Sequence, residues 1–127
     1  MARVLRGHRA PLVAPMPGAA NNYATSLVTL ERFEETKSLL RETMPVARRV
    51  LGEGHDLTLR MRWTYAGALY DDPGATLDDL REAVTTLEET ERIARRVFGG
   101  THPLTVDIEG ELRDARAALN AREPPQS

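Results

Sequence analysis

The chain has 127 residues, of which 41% are hydrophobic and 28% charged, and its net charge is −2. This composition is typical of a folded domain, and it gives no general attraction to nucleic acid or to an anionic membrane. The absence of cysteine excludes disulfide frameworks, thiol catalysis and thiolate metal sites, and it fits a reducing compartment. We therefore expect a cytoplasmic protein with a helical core built from Leu, Val, Ala and Met.

The first predicted element is an irregular segment over residues 1–18. It carries several arginines and no acidic residue, the first being Glu31. This pattern leaves an organellar targeting segment open as an alternative. The scarcity of serine and the prolines Pro11, Pro15 and Pro17 argue against that alternative, because they would break an amphipathic helix.

The rest of the chain is a repeat. Residues 30–59 align without a gap on 77–106, and 13 of the 30 pairs are identical. Upstream the offset falls to 42, since NNYATSL at 21–27 matches WTYAGAL at 63–69. The difference indicates a period of 42 residues with a short insertion at 71–75, which predicts a helical-repeat architecture.

A further echo of the repeat lies at the start of the chain. The run RVLRGH at 3–8 resembles RVLGEGH at 49–55. The segment 1–18 is thus a possible remnant of an upstream repeat.

Apolar residues recur at three- and four-residue steps, which is the period of amphipathic helices. The glycines in LGEG and FGG are typical of helix ends, Thr76 with Asp79 resembles a capping box, and Pro103 suits a first helical turn. Pro45 falls inside a predicted helix, where we expect a kink near Met44 and not two separate helices. The predicted helices span 19–30, 32–51, 56–70, 76–98 and 103–121.

Several of these features resemble the tetratricopeptide signature. Ala24 and Ala66 each follow a bulky residue and precede a leucine by three positions. The period of 42 residues and the run ARRVLGEGHDLT are similar to the longer variety of this repeat that is found in kinesin light chains. The segments NNYATSL and LERFEETKSLL are similar to that family's Asn-Asn-Leu-Ala and Gly-Arg-Tyr-Glu-Glu-Ala segments.

The resemblance implies an all-α fold in which antiparallel helix pairs stack as a short right-handed α-solenoid of about two and a half units. In that family the first helices of the units line a concave face that binds peptides. Trp63 and Tyr70 would then anchor a partner and Arg60 would contact an acidic group, although Trp63 could equally be a packing residue. The residues of this chain at those positions are Asn21, Thr25, Val28, Arg60, Trp63, Gly67 and Tyr70.

The sequence also departs from the family. The paired asparagines become Trp63 and Thr64 in the second unit and Gly110 and Glu111 in the third, and Arg113 replaces the small residue. We expect the last helix to act as a terminal cap, with a repeat domain over 19–121 and a disordered tail over 122–127.

Other candidate sites have simpler interpretations. His55 and His102 recur because the repeat does, so a structural role at a helix start is favoured over metal binding or catalysis. Asp71, Asp72, Asp78 and Asp79 lack calcium-loop spacing and suit turns and caps. Arg48, Arg49, Arg95 and Arg96 complement helix dipoles and are surrounded by glutamates.

No catalytic, phosphate-binding or metal constellation is present, so we expect neither an enzyme nor a cofactor. The sequence favours a protein–protein interaction module with an adaptor or scaffold role, whose partner is a peptide or a helix and not nucleic acid or membrane. The alternative is a C-terminal capping fragment of a longer array, with a structural or self-association role. It is motivated by the small number of units, since stacked repeats usually need three or more.

Overall fold

The computed structural model describes residues 17–123, and within that range the chain forms five α-helices and no strand. All five helices were predicted from the sequence, with ends that agree to within two residues. The echo at 3–8, the prolines before Pro17 and residues 124–127 lie outside the described residues. None of the described helices has the length and apolarity needed to cross a membrane. The helices are α1 (Pro17–Thr29), α2 (Phe33–Leu51), α3 (Asp56–Asp71), α4 (Leu77–Phe98) and α5 (Pro103–Arg122).

The helices pack in chain order as two helix pairs followed by a single helix. Each helix contacts the next along the chain, α1 also contacts α3, and α3 also contacts α5, whereas α2 and α4 do not contact each other. The first helices of the units therefore form a continuous row, and the second helices are spread apart behind it. The closer packing of α1, α3 and α5 is what the inner side of a helical-repeat solenoid requires.

Small residues let the helices of each pair approach closely. Ala24 and Ala66 are both fully buried, together with large core side chains such as Leu40, Leu69 and Leu87. Burial of these apolar side chains is the main source of stability for such an array. Arg113, at the equivalent position of α5, is exposed.

The two linkers between units use the same devices. Gly52 and Gly99 end α2 and α4 with φ values of 98° and 92°, a region that favours glycine. In the following residues, His55 and His102 are N-caps, and Nδ1 of each ring accepts a hydrogen bond from the backbone N–H two residues later, at 3.0 and 3.1 Å. The predicted structural role of both histidines is confirmed.

The turns within the units differ from each other. Before α4, the Thr76 hydroxyl accepts from the Asp79 N–H while the Asp79 carboxylate accepts from the Thr76 N–H, which confirms the predicted capping box. Before α2 the turn is shorter, and Glu31 adopts a φ of 60°. This left-handed conformation costs about 1 kcal/mol or more for a residue with a Cβ atom. The sequence did not reveal this strain.

Pro45 lies inside α2, which continues as one helix from Phe33 to Leu51. The prediction of a single helix is confirmed, and the kink near Met44 stays a prediction.

Candidate functional site

A cleft of about 320 Å³ opens on the face formed by α1, α3 and α5. Its walls come from all three helices, so the stacking of successive units creates it. The residues that line it are Asn21, Thr25, Val28, Arg60, Trp63, Thr64, Gly67, Asp71 and Glu111.

Six of the seven residues predicted for the concave face lie in this cleft. The exception is Tyr70, which does not line the cleft and instead packs, half-buried, against the core. Burial, followed by the charges of Glu111 and Asp71, raises the pKa of Tyr70. Tyr70 therefore lies near the carboxylates of the cleft without lining it.

The first wall is the exposed side of α1. Asn21 is half-buried, and its side-chain oxygen accepts a hydrogen bond from the Thr64 hydroxyl of α3 at 3.2 Å. Thr25, one turn later, is exposed and donates its hydroxyl to the Asn21 carbonyl at 2.9 Å. The Thr64 hydroxyl also lies 2.9 Å from the Arg60 carbonyl of its own helix, so Asn21 is one of two acceptors within its reach.

Trp63 combines the two roles that the sequence left open. It is half-buried and packs against the hydrophobic core, and it also lines the cleft. It shares the wall of the cleft with Glu111 of α5. A large amphipathic ring held in this way loses little entropy when a partner covers it, which is the usual property of an anchor residue.

Some charged side chains of the cleft form ion pairs within the described residues and others do not. Arg60 forms an ion pair with Asp56, one turn earlier on α3. Asp71 and Glu111 form no ion pair with any Lys, Arg or His among the described residues. The cleft thus has two carboxylates whose charge the described part of the chain leaves unmatched.

These two carboxylates meet at Gly67. A Cβ atom placed on Gly67 would lie 3.8 Å from Asp71 Oδ2 and 3.8 Å from Glu111 Oε2. Burial raises the pKa of Asp71, and burial followed by the charges of Asp71 and Asp114 raises the pKa of Glu111. Both carboxylates therefore ionise at a cost that a nearby cation would remove.

Three cleft residues were not predicted from the sequence, namely Thr64, Asp71 and Glu111. Thr64 and Glu111 could have been found, because the repeat alignment places them at the position of Asn22, next to the predicted Asn21. Asp71 was assigned to the inserted turn. It is instead the last residue of α3, one helical turn after Gly67, so that interpretation is corrected.

The remaining candidates are structural. The Asp72 carboxylate accepts from the Gly74 N–H at 2.9 Å, and Asp79 belongs to the capping box. The two arginine doublets lie in the last turns of α2 and α4. Within residues 17–123 no group of three or more His, Asp or Glu side chains is arranged to hold a metal ion.

Comparison with known protein families identifies a single region. Residues 18–56 match the family model described as Tetratricopeptide repeat, and this region contains α1, α2 and the linker after them. A search of curated proteins and a search of solved structures each gave no significant match. This match shows that residues 18–56 are similar to a tetratricopeptide repeat, and the described residues as a whole fold as an all-α array of stacked helix pairs.

Proposed function

We propose that this protein is a non-enzymatic interaction module that binds an extended peptide or a partner helix in the cleft between α1, α3 and α5. Tetratricopeptide repeats generally mediate protein–protein interaction, and this supports the proposal at the level of the family match. The observation that carries it is the cleft itself, which is lined by an aromatic ring, hydroxyls and charged groups from three successive first helices.

The chemistry of the cleft suits a peptide. A bound segment can place an apolar side chain against Trp63 while its backbone contacts the amide of Asn21 and the hydroxyls of Thr25 and Thr64. The kinesin light chain type and an adaptor role belong to this proposal, and they are supported by the 42-residue period and the repeated linker.

Selection from a random peptide library displayed on phage tests the proposal. The chain has one tryptophan, so the fluorescence of Trp63 reports binding in the cleft directly. Peptides enriched on the wild-type protein should change this fluorescence and bind with micromolar affinity.

A matched pair of variants locates the binding surface. Thr25→Arg fills the cleft from the exposed side of α1, whereas Ser26→Arg places the same side chain on the adjacent residue, outside the cleft. Both hydroxyls donate to the carbonyl four residues earlier, so the two changes remove the same local hydrogen bond. Loss of binding in Thr25→Arg alone supports the proposal, and equal behaviour of the two variants contradicts it.

A second candidate is the capping fragment with a self-association role. Tyr23 and Leu30 of the first unit are exposed, at 39% and 63%, and such apolar surface favours another repeat as a neighbour. Sedimentation across a concentration series distinguishes the two. A monomer whose melting temperature does not change with concentration contradicts self-association.

A further inference from the structure

The unpaired charges of the cleft indicate the charge of the side chain that it binds, which the family match does not. Its one cationic side chain, Arg60, is already paired with Asp56. Asp71 and Glu111, from two different helices, remain without a cationic partner among the described residues.

Space for a cation exists between the two carboxylates. Gly67 contributes no side chain, and a carboxylate oxygen of each acid lies 3.8 Å from the position that its Cβ atom would occupy. In the first unit the equivalent residue is Thr25, which has a side chain. The glycine therefore leaves a niche between two acids inside the cleft.

Glu111 is half-buried beside this niche. It lines the cleft together with Trp63, whose ring packs against the hydrophobic core. A carboxylate with restricted access to water interacts more strongly with a cation than a fully exposed one does.

We infer that the niche between Asp71, Glu111 and Gly67 binds the ammonium or guanidinium group of a Lys or Arg side chain on the partner peptide. This inference rests on the proposed function and deepens it, because it specifies that the partner peptide carries a positive charge. An organic cation suits the niche better than a metal ion, since no group of three or more His, Asp or Glu side chains among the described residues is arranged to hold a metal ion. Charge-assisted hydrogen bonds to two carboxylates, of which Glu111 is half-buried, favour a cation over a neutral group by about tenfold in affinity.

A positional library of acetylated and amidated nonapeptides tests the inference. Pools in which one position is fixed as Lys, Arg, Gln or Glu are titrated against the protein, with the fluorescence of Trp63 as readout. We expect the Lys and Arg pools at one fixed position to bind about tenfold more tightly than the Gln pool, and the Glu pool to bind most weakly.

Two conservative variants connect the preference to the niche. Glu111→Gln and Asp71→Asn keep the size of each side chain and remove its charge. Each should reduce the preference for Lys over Gln to less than about threefold. Thermal unfolding of both variants shows that they remain folded.

The possible outcomes separate the inference from the proposed function. Binding that is abolished by Thr25→Arg but shows no charge preference, or a preference unchanged in both acid variants, overturns the cationic niche and leaves peptide binding intact. Tightest binding of the Glu pool also overturns it. If no pool binds the wild-type protein, both proposals fail.

Discussion

Two groups of charged residues, one on each side of helix α3, differ in how their charges are matched. On one side Arg62 is only 6% exposed, and it forms ion pairs with Glu53 of the first linker and Glu89 of α4. On the cleft side, Asp71 and Glu111 approach each other with no cation from the described residues. The first group joins three elements of the array, so its charges are matched within the fold. The second group is left for a ligand to match.

The two groups of charges differ in their effect on the stability of the fold. A buried arginine is tolerated because two carboxylates accept its hydrogen bonds. Two like charges near each other destabilise the fold unless something neutralises them. An arrangement that costs stability is retained more readily where it serves binding. The unmatched acids are therefore a better indicator of function here than the matched ones.

The largest expected effect follows from Arg62→Met. The change removes the shared partner of Glu53 and Glu89, and we expect the free energy of unfolding to fall by about 2 kcal/mol in urea denaturation. The loss stays moderate because both glutamates are half-exposed and remain hydrated.

Arg60→Met is the matched control on the same helix. Its pair with Asp56 is exposed, so its loss should cost less than about 0.5 kcal/mol. Equal losses in the two variants would mean that the Arg62 cluster does not join the units.

The next largest effect concerns the histidine N-caps in the two linkers. His102→Ala should lower the free energy of unfolding by about 1 kcal/mol, because it removes the N-cap of α5. His55→Ala should cost less, since His102 also packs on the Phe98 ring with centroids 4.6 Å apart, whereas the equivalent residue before His55 is Leu51. Urea denaturation of both variants checks the order, and a larger loss for His55→Ala would contradict this account of the linkers.

Glu31→Gly tests whether an unfavourable residue outside the cleft has a role in binding. Glycine adopts the observed φ of 60° without strain, so the variant should be more stable by up to about 1 kcal/mol. Peptide affinity should not change, because Glu31 does not line the cleft. A weakened affinity would show that strain, and not charge, marks functional positions in this protein.

The smallest effect is a pH dependence. Because the pKa of Glu111 is raised in the folded state, this group stabilises the fold less as the pH rises from its ordinary value of 4.5 through the raised value. Glu111→Gln should remove that part of the slope and leave the melting temperature at neutral pH equal or higher. Thermal melts of both proteins across this pH range measure the difference, and a lower melting temperature for the variant at neutral pH would contradict it.

The sequence predicted the helices well because their signals are local. The apolar period, Gly52 and Gly99 at helix ends, and the cap at Thr76 depend on neighbouring residues only. Six cleft residues were predicted through the family resemblance, because equivalent positions of the first helices face the same side.

The features that were not predicted from the sequence depend on tertiary contacts. Glu111 meets Asp71 only after α5 packs beside α3, and no local pattern encodes that distance. Arg62 was missed for a related reason. An arginine in a helix is normally exposed, and only the positions of Glu53 and Glu89 make its burial favourable.

The most direct test of the central claim is an amide chemical-shift titration by NMR with a lysine-containing peptide from the positional library. We predict that the largest shifts map to cleft residues, above all Gly67 and its neighbours Trp63 and Glu111, while Ser26 and the residues around Arg62 shift little. Shifts centred on the Arg62 side, or shifts at the cleft that persist unchanged when the lysine is replaced by glutamine, would contradict the account.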